Sequence, residues 1–154
     1  WTGGLSFSVR YKNFDLSGLF QGAFDVDGYF TAEAAYAFYN GATALKRHLD
    51  RWTPENHDAT YPRITRTDQT NFTTSSFWLQ DASYVRLKNL TLGYTMPKAW
   101  MTKLGVANAK VFLSGENLFT ITGLDGGIDP EEANERGWSY GNVKKISVGV
   151  RLSF

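Results

Sequence analysis

Strict alternation of apolar and polar residues predicts five β-strands in this chain. In residues 83–97 one parity is apolar, with Leu90, Leu92, Tyr94 and Met96, while the other is small or polar. A period of two places the two sets on opposite faces of a pleated strand. The predicted strands span residues 3–11, 14–24, 83–97, 109–119 and 145–154. The pattern therefore predicts an all-β, antiparallel chain.

Two of the connections between these strands are short. Lys12 and Asn13 are predicted to form a two-residue hairpin turn, with Asn13 suited to a positive φ. Pro97 is predicted to be the first residue of a helix that continues through residues 98–104. Gly105 can close this helix in the left-handed conformation.

The other two connections are long and span residues 25–82 and 120–144. Within the first, a helical piece is predicted over residues 31–39, with Thr31 as its cap, and a second piece over residues 44–50. The remainder is predicted to be irregular. A connection of this length is either functional or disordered.

The alternation of short and long connections indicates a transmembrane β-barrel, which has short periplasmic turns and long extracellular loops. Each strand has about ten residues, enough to cross a bilayer when tilted. A soluble β-sandwich also has strands with one apolar face, which it buries in its core. The small polar residues of the opposite face, including Ser147 and Ser153, suit a wet lumen and favour the barrel. Five strands cannot close such a barrel, so a larger protein is expected.

The amino-acid composition argues against several classes of function. The 154 residues begin at Trp1 without an initiator Met, which predicts an internal or processed segment. A net charge of +1 gives no electrostatic argument for nucleic acid. The absence of cysteine excludes disulfides and cysteine-based metal sites. No apolar run approaches the roughly 18 residues of a membrane-spanning helix.

No residue pattern of this chain predicts catalysis, and neither a metal nor a cofactor is expected. His48 and His57 are nine residues apart and are predicted to be surface histidines rather than metal ligands. The glycine-rich connection carries four acidic residues, Asp125, Asp129, Glu131 and Glu132. Their spacing misses that of a calcium-binding loop, which favours a turn closed by Asp129 and Pro130.

Aromatic residues in the long connections are the candidates for ligand or partner contact. They are Trp52, Tyr61, Trp78, Trp138 and Tyr140. A planar ring can stack on a sugar or clamp a partner protein. Exposed rings in a long loop nevertheless pack more often against the loop itself, and the sequence leaves both roles open.

Several motifs occur along the chain in a recognisable order. They are SYVRLKNLTLGYTMP at 83–97, VFLSGENLF at 111–119, GIDPE at 127–131 and ISVGVRLSF at 146–154. These motifs resemble the carboxy-terminal end of the SusC/RagA family, the TonB-dependent outer-membrane transporters of Bacteroidetes. The segment LDRWTPEN at 49–56 is similar to a long extracellular loop of the family, which favours a structural role for Trp52.

The resemblance covers the whole chain and implies both a fold and a function. Residues 1–154 are expected to be the carboxy-terminal part of the barrel domain, about the last five of twenty-two strands, without the plug domain and TonB box. The complete protein is expected to import oligosaccharides or peptides across the outer membrane. Its expected partners are a SusD-like lipoprotein and the TonB–ExbB–ExbD complex, the latter through the missing amino-terminal part. The alternative is a soluble β-sandwich that binds carbohydrate or protein.

The last predicted strand has a further expected role. Val150, Leu152 and Phe154 lie on one parity of this strand, with the aromatic residue last. This arrangement resembles the signal that outer-membrane assembly machinery recognises in barrel proteins.

Overall fold

A computed structural model of the protein describes residues 1–66, 70–124, 127–133 and 136–154. Its strands are β1 (Thr2–Tyr11), β2 (Phe14–Ala23), β3 (Asp27–Tyr29), β4 (Leu79–Asp81), β5 (Tyr84–Thr95), β6 (Asn108–Glu116), β7 (Thr120–Thr122) and β8 (Lys145–Ser153). Its α-helices are α1 (Ala32–Ala35) and α2 (Lys98–Leu104). Short 3-10 helices span Tyr39–Gly41, Lys46–Leu49, Thr70–Phe72, Ser76–Trp78 and Pro130–Glu132. No helix among the described residues is long and apolar enough to cross a membrane.

The chain divides into two compact units. The sheet unit comprises Trp1–Ala23, Tyr84–Ile121 and Asn142–Phe154, and the loop unit comprises Phe24–Ser83 and Thr122–Gly141. In the sheet unit the long strands are hydrogen-bonded in the order β1-β2-β5-β6-β8, and every neighbouring pair is antiparallel. The five strands predicted from the alternation are thus confirmed. The short strand β7, which also pairs with β5, was not predicted.

The two short connections have the predicted form but differ in detail. In the hairpin between β1 and β2, Tyr11 pairs with Phe14, so the turn has two residues. The positive φ of 53° belongs to Lys12, so its assignment to Asn13 is wrong. Helix α2 is closed by Gly105 at a φ of 67°, as predicted. Pro97 precedes this helix at the N-cap position instead of being its first residue.

The strand register sorts the side chains of the sheet into two different faces. Directly paired residues of antiparallel strands lie on the same face. One row across all five long strands consists of Val9, Leu16, Leu92, Leu113 and Val148. The neighbouring row on the opposite face consists of Ser8, Ser17, Thr91, Ser114 and Ser147. An aliphatic face therefore lies opposite a hydroxyl-bearing face.

The aliphatic face of the sheet is exposed. Val148 is 73% exposed, and Val9, Leu92 and Leu113 are also among the exposed large apolar residues. A β-sandwich would bury this face against a second sheet. The exposure of this face argues against the alternative of a soluble sandwich.

An ion pair crosses the polar face near the hairpin end of the sheet. Lys110 Nζ on β6 donates to Asp15 Oδ2 on β2 at 2.7 Å, and the bond passes over the intervening strand β5. Gly93 lies beneath this bond, and a Cβ atom at that position would overlap Lys110 Cε. The glycine therefore leaves the space in which the two charged side chains meet.

The loop unit has a hydrophobic core that the sequence pattern did not predict. Its buried members are Phe30, Ala34, Ala35, Tyr36, Trp78 and Leu124. The Tyr36 ring stacks on Phe72 at a centroid distance of 4.3 Å and meets Trp78 edge-on at 5.0 Å. Leu124 comes from the second long connection, so both connections build one core.

The regular elements of the loop unit are shorter than predicted. The helix expected over residues 31–39 is limited to α1, which ends where Tyr36 becomes extended at φ −107° and ψ 131°. The second predicted piece is a 3-10 turn over Lys46–Leu49. Strands β3 and β4 form a separate antiparallel pair that had no signal in the sequence pattern.

We expect Trp78→Ala to lower the free energy of unfolding of the loop unit by about 3–5 kcal/mol, because it leaves a cavity in an aromatic core. Tyr140→Ala is the matched control, since Tyr140 is 87% exposed. This control should change the free energy by less than about 0.5 kcal/mol. Amide hydrogen exchange of loop-unit residues measures both values, and equal losses would contradict the assignment of Trp78 to the core.

Candidate functional site

A groove in the loop unit brings together three of the five aromatic candidates. Trp52, Tyr61 and Trp78 line it, and its volume is about 540 Å³. That volume lies within the range of roughly 300–1,000 Å³ that small-molecule sites occupy. The other lining residues are Ala59, Thr60, Pro62, Arg63, Thr70, Asn71, Thr73, Ser75 and Phe77. The groove is thus a concave surface that three of the sequence-predicted aromatic residues share.

Backbone pairing between two neighbouring segments forms one wall of the groove. Trp52 N–H donates to the Tyr61 carbonyl oxygen at 2.8 Å, and Tyr61 N–H donates to the Asp50 carbonyl oxygen at 3.1 Å. Arg51 and Tyr61 form a parallel bridge. These bonds hold the backbone of Trp52 beside the segment that carries Tyr61.

The carboxylate of Asp50 fixes the loop that joins these two segments. Its Oδ2 accepts from Thr60 N–H at 3.1 Å, and its Oδ1 accepts from Asn56 Nδ2 at 3.2 Å. The hydrogen bond from Thr60 is the main cause that holds the pKa of Asp50 below its usual value. An ionised Asp50 thus favours the observed conformation of the loop.

The aromatic residues of the groove differ in exposure. Trp52 is 41% exposed, and its indole lies nearly parallel to the His57 ring at a centroid distance of 5.8 Å. Phe77 is also exposed and meets Tyr61 and Trp78 edge-on. Trp78 is only 4% exposed, so it supports the groove from the core and offers no free ring face.

His48 lies in the interior close to the groove. Its Nδ1 accepts from Leu45 N–H at 2.9 Å, so Nε2 carries the proton and donates to the Ala35 carbonyl oxygen at 2.9 Å. Burial lowers the pKa of His48, and the positive charge of Arg47 acts in the same direction. The prediction of a surface histidine is therefore wrong for His48, whereas His57 is exposed as expected.

The other two aromatic candidates do not line the groove. Trp138 is 67% exposed and Tyr140 is 87% exposed. The guanidinium of Arg136 lies 4.1 Å from the centroid of the Trp138 ring and makes two hydrogen bonds to the Glu33 carboxylate, at 2.8 and 3.0 Å. These hydrogen bonds lower the pKa of Glu33. The ion pair joins the two long connections within the loop unit.

The acidic residues of the glycine-rich connection form a turn. Asp129 Oδ1 accepts from Glu131 N–H at 3.0 Å, at the start of the 3-10 helix Pro130–Glu132. Asp125 lies outside the described residues. Within the described part of the chain, no three His, Asp or Glu side chains are grouped as metal ligands would be.

Sequence reasoning missed several residues of the groove. Arg63, Asn71 and Phe77 line it, yet none of them stood out in the sequence. No local pattern marks them, because the groove forms only when segments distant along the chain pack together.

Comparison with known proteins tests the resemblance that the sequence motifs suggest. No family model matches it. TonB-dependent receptor P3 of Formosa agariphila is 30% identical over all of the chain, and TonB-dependent receptor P26 of the same organism is 34% identical over 98% of it. The RagAB peptide importer in its open-open state matches 99% of the chain with 30% identity and a TM-score of 0.75. The resemblance of this segment to the SusC/RagA family of TonB-dependent receptors is thereby confirmed.

The resemblance to the SusC/RagA family agrees with the observed sheet. A structure of the RagAB peptide transporter matches with a TM-score of 0.78 and 28% identity over 99% of the chain. The predicted fold class, a segment of a transmembrane barrel, is thereby confirmed, and the protein is located in the outer membrane. The chain spans 16% of the two Formosa receptors and 17% of the matching RagAB chains. These relatives are receptors and transporters rather than enzymes.

We expect the packing around His48 to weaken on acidification. The pKa of His48 is lowered from 6.5 in the folded protein, so the unfolded chain takes up the proton first. The contribution of neutral His48 to the stability of the folded loop unit is therefore complete above about pH 6.5. It is lost as the pH falls through the lowered pKa of the folded protein. Amide hydrogen exchange of Leu45 and the groove residues, compared at about pH 7.5 and about pH 5 on either side of the ordinary pKa of histidine, measures the effect.

His48→Gln is the matched control for this pH dependence. A glutamine side chain offers one acceptor and donors but does not titrate. The variant should lose the acid-dependent increase in exchange. If its pH profile equals that of the natural sequence, another group causes the change.

Proposed function

We propose that the chain forms part of the barrel wall of an importer that takes up oligosaccharides or peptides together with a SusD-like surface lipoprotein. The observation that carries this proposal is the five-stranded sheet with an exposed aliphatic face and a hydroxyl-bearing opposite face. Strands of outer-membrane barrels alternate in this way, with apolar residues toward lipid and polar residues toward the lumen. We assign the two faces accordingly.

The proposed topology follows from the connections between the strands. The short hairpin at Lys12 and the helix α2 are assigned to the periplasmic side, where barrel turns are short. The long connections that build the loop unit are assigned to the extracellular side. In this arrangement the Asp15–Lys110 ion pair lies on the luminal wall toward the periplasm.

The remaining parts of the proposal concern the complete protein. Its relatives are called TonB-dependent, which supports energy coupling through a TonB–ExbB–ExbD complex. The motif of β8 supports placement of residues 1–154 at the carboxy-terminal end of the barrel domain. Val150, Leu152 and Phe154 are proposed as the assembly signal, and the surface abundance of a protein that lacks Phe154 measures that role.

Contact with the lipoprotein is proposed for the exposed aromatic residues outside the groove. Tyr and Trp are enriched at protein interfaces and among the residues that contribute most to binding. Trp138 and Tyr140 have the exposure that such contacts require. The RagAB structures, which are those of a peptide importer, support a two-protein assembly by analogy.

A pair of neighbouring substitutions tests the lipid face. We expect Val148→Arg to lower the free energy of unfolding in lipid vesicles by about 2–4 kcal/mol if the site lies near the bilayer midplane. Ser147→Arg, one residue away on the opposite face, should lower this free energy only mildly. Equal damage from both variants in urea unfolding would contradict the assignment of the faces.

Co-purification tests the partner. We expect Trp138→Ala combined with Tyr140→Ala to weaken capture of the co-expressed lipoprotein by the tagged, complete receptor, by about 2 kcal/mol if either residue is a binding hot spot. Trp52→Ala is the control, because Trp52 lies in the groove. Unchanged capture by the double variant would show that these two residues do not contribute to the interface.

A further inference from the structure

The nearly neutral charge of the chain conceals a separation of charge between its two units. The sheet unit contains ten Lys and Arg residues and only two acidic residues, Asp15 and Glu116. The loop unit contains six Lys and Arg residues and thirteen acidic residues. Both acidic residues of the sheet unit form ion pairs with lysines, Asp15 with Lys110 and Glu116 with Lys145. The sheet unit therefore carries an excess of positive charge that its own carboxylates do not neutralise.

Three basic residues of the sheet unit lie at one end of the sheet, on the two short connections. Lys12 belongs to the turn between β1 and β2, and Lys98 and Lys103 belong to α2. The backbone joins these connections, because Thr95 N–H at the end of β5, just before α2, donates to the Asn13 carbonyl oxygen at 2.8 Å. All three lysines are exposed, and none of them forms an ion pair within the described part of the chain. We call this part of the sheet unit the hairpin end.

The sequence around the three lysines contains no acidic residue. None occurs before Asp15, and none occurs in residues 82–115. Asp15 itself lies on the polar face of the sheet, where it binds Lys110. An anionic partner of the hairpin end therefore meets no repelling carboxylate on the turn or on α2.

The backbone conformation of Lys12 points to a role for its side chain. Its φ of 53° lies in the left-handed region, which glycine and asparagine adopt more readily than lysine does. A residue held in a sparsely populated conformation is a candidate for function. The turn thus places a lysine where the backbone alone favours a smaller residue.

The row of the aliphatic face next to this turn is aromatic on three strands. Tyr11, Phe14 and Tyr94 are paired directly across β1, β2 and β5. The Phe14 and Tyr94 rings meet at a centroid distance of 4.7 Å, and Lys12 Nζ lies 5.3 Å from the centroid of the Tyr11 ring. Aromatic rings of membrane proteins are enriched at the level of the lipid headgroups. The aliphatic face therefore continues into an aromatic row and then into the lysines.

We propose that the hairpin end binds the headgroups of anionic phospholipids in the periplasmic leaflet through the ammonium groups of Lys12, Lys98 and Lys103. The inference rests on the proposed function, because it takes the aliphatic face to be in contact with lipid. Basic residues beside a membrane are attracted by anionic lipids, and each adds to the attraction. Trp100, which is exposed on α2, contributes a ring suited to the same interface.

A fluorescent reporter on α2 tests this surface in the complete receptor. Ala99→Cys carries the fluorophore, since Ala99 is exposed between Lys98 and Trp100 and this chain has no cysteine of its own. The receptor is reconstituted in phosphatidylcholine vesicles with a trace of spin-labelled phosphatidylglycerol or of spin-labelled phosphatidylcholine, either of which quenches the fluorophore on contact. We expect the anionic lipid to be enriched about fivefold at the reporter for one lysine in contact with it. The enrichment should decline as salt is added.

Two double variants with the same loss of charge locate the binding surface. Lys98→Gln with Lys103→Gln should remove most of the preference for phosphatidylglycerol, whereas Lys98→Arg with Lys103→Arg should keep it. Arg10→Gln with Arg151→Gln removes two charges from the polar face at the same end of the sheet, and it should leave the preference unchanged. Lys12→Asn should lower the preference further without disturbing the turn, since asparagine tolerates a positive φ.

The possible contrary results separate this inference from the proposed function. Equal quenching by the two lipids would overturn the inference and leave the lipid face intact. A preference that the lysine variants retain, or that the arginine variants lose to the same extent, would also overturn it. Equal quenching together with binding of soluble polyglutamate would make the hairpin end a site for an acidic protein. Absence of quenching by either lipid would contradict both the inference and the contact of this sheet with a bilayer.

Discussion

The register between the long strands is the constraint on which the sheet unit depends. It aligns Val9, Leu92 and Val148 in one row and keeps every hydroxyl of the neighbouring row on the other face. A slip of one residue would exchange the two faces of a strand. Apolar side chains would then face the lumen, and serine hydroxyls would face lipid, where they have no partner. The pairing shifts once, between Leu19 and Phe20, without disturbing either row.

In the loop unit, the packing of aromatic rings is the constraint on which the structure depends. Tyr36, Phe72 and Trp78 come from three separate stretches, and the rings of Phe72 and Trp78 each contact the Tyr36 ring, at centroid distances of 4.3 and 5.0 Å. The hydroxyl of Tyr36 donates to the Phe72 carbonyl oxygen at 3.0 Å, which satisfies its polar end. Large aromatic residues contribute much of the apolar area that such a small core can bury. The unit therefore holds its form with few regular elements.

Polar contacts of the loop unit then set the shape of its surface. Asp50 closes the loop that carries Trp52, His48 connects α1 to the 3-10 turn Lys46–Leu49, and Glu33 binds Arg136 from the other long connection. Each contact joins segments that have little regular secondary structure to hold them. The segments that form the groove are consequently held in place despite their irregular backbone.

The sequence by itself determined the features that depend on neighbouring residues. Alternation predicts all five long strands, and Pro97 and Gly105 bound α2, because face, cap and turn are set within a few residues. Prediction from these local patterns failed for the loop unit. There α1 ends at Ala35 instead of continuing to residue 39, and β3 pairs with β4, which lies some fifty residues later in the chain. Only the tertiary structure decided the core and the groove. Their contacts join residues as far apart as Glu33 and Arg136, 103 positions along the chain, and no local pattern encodes such a distance.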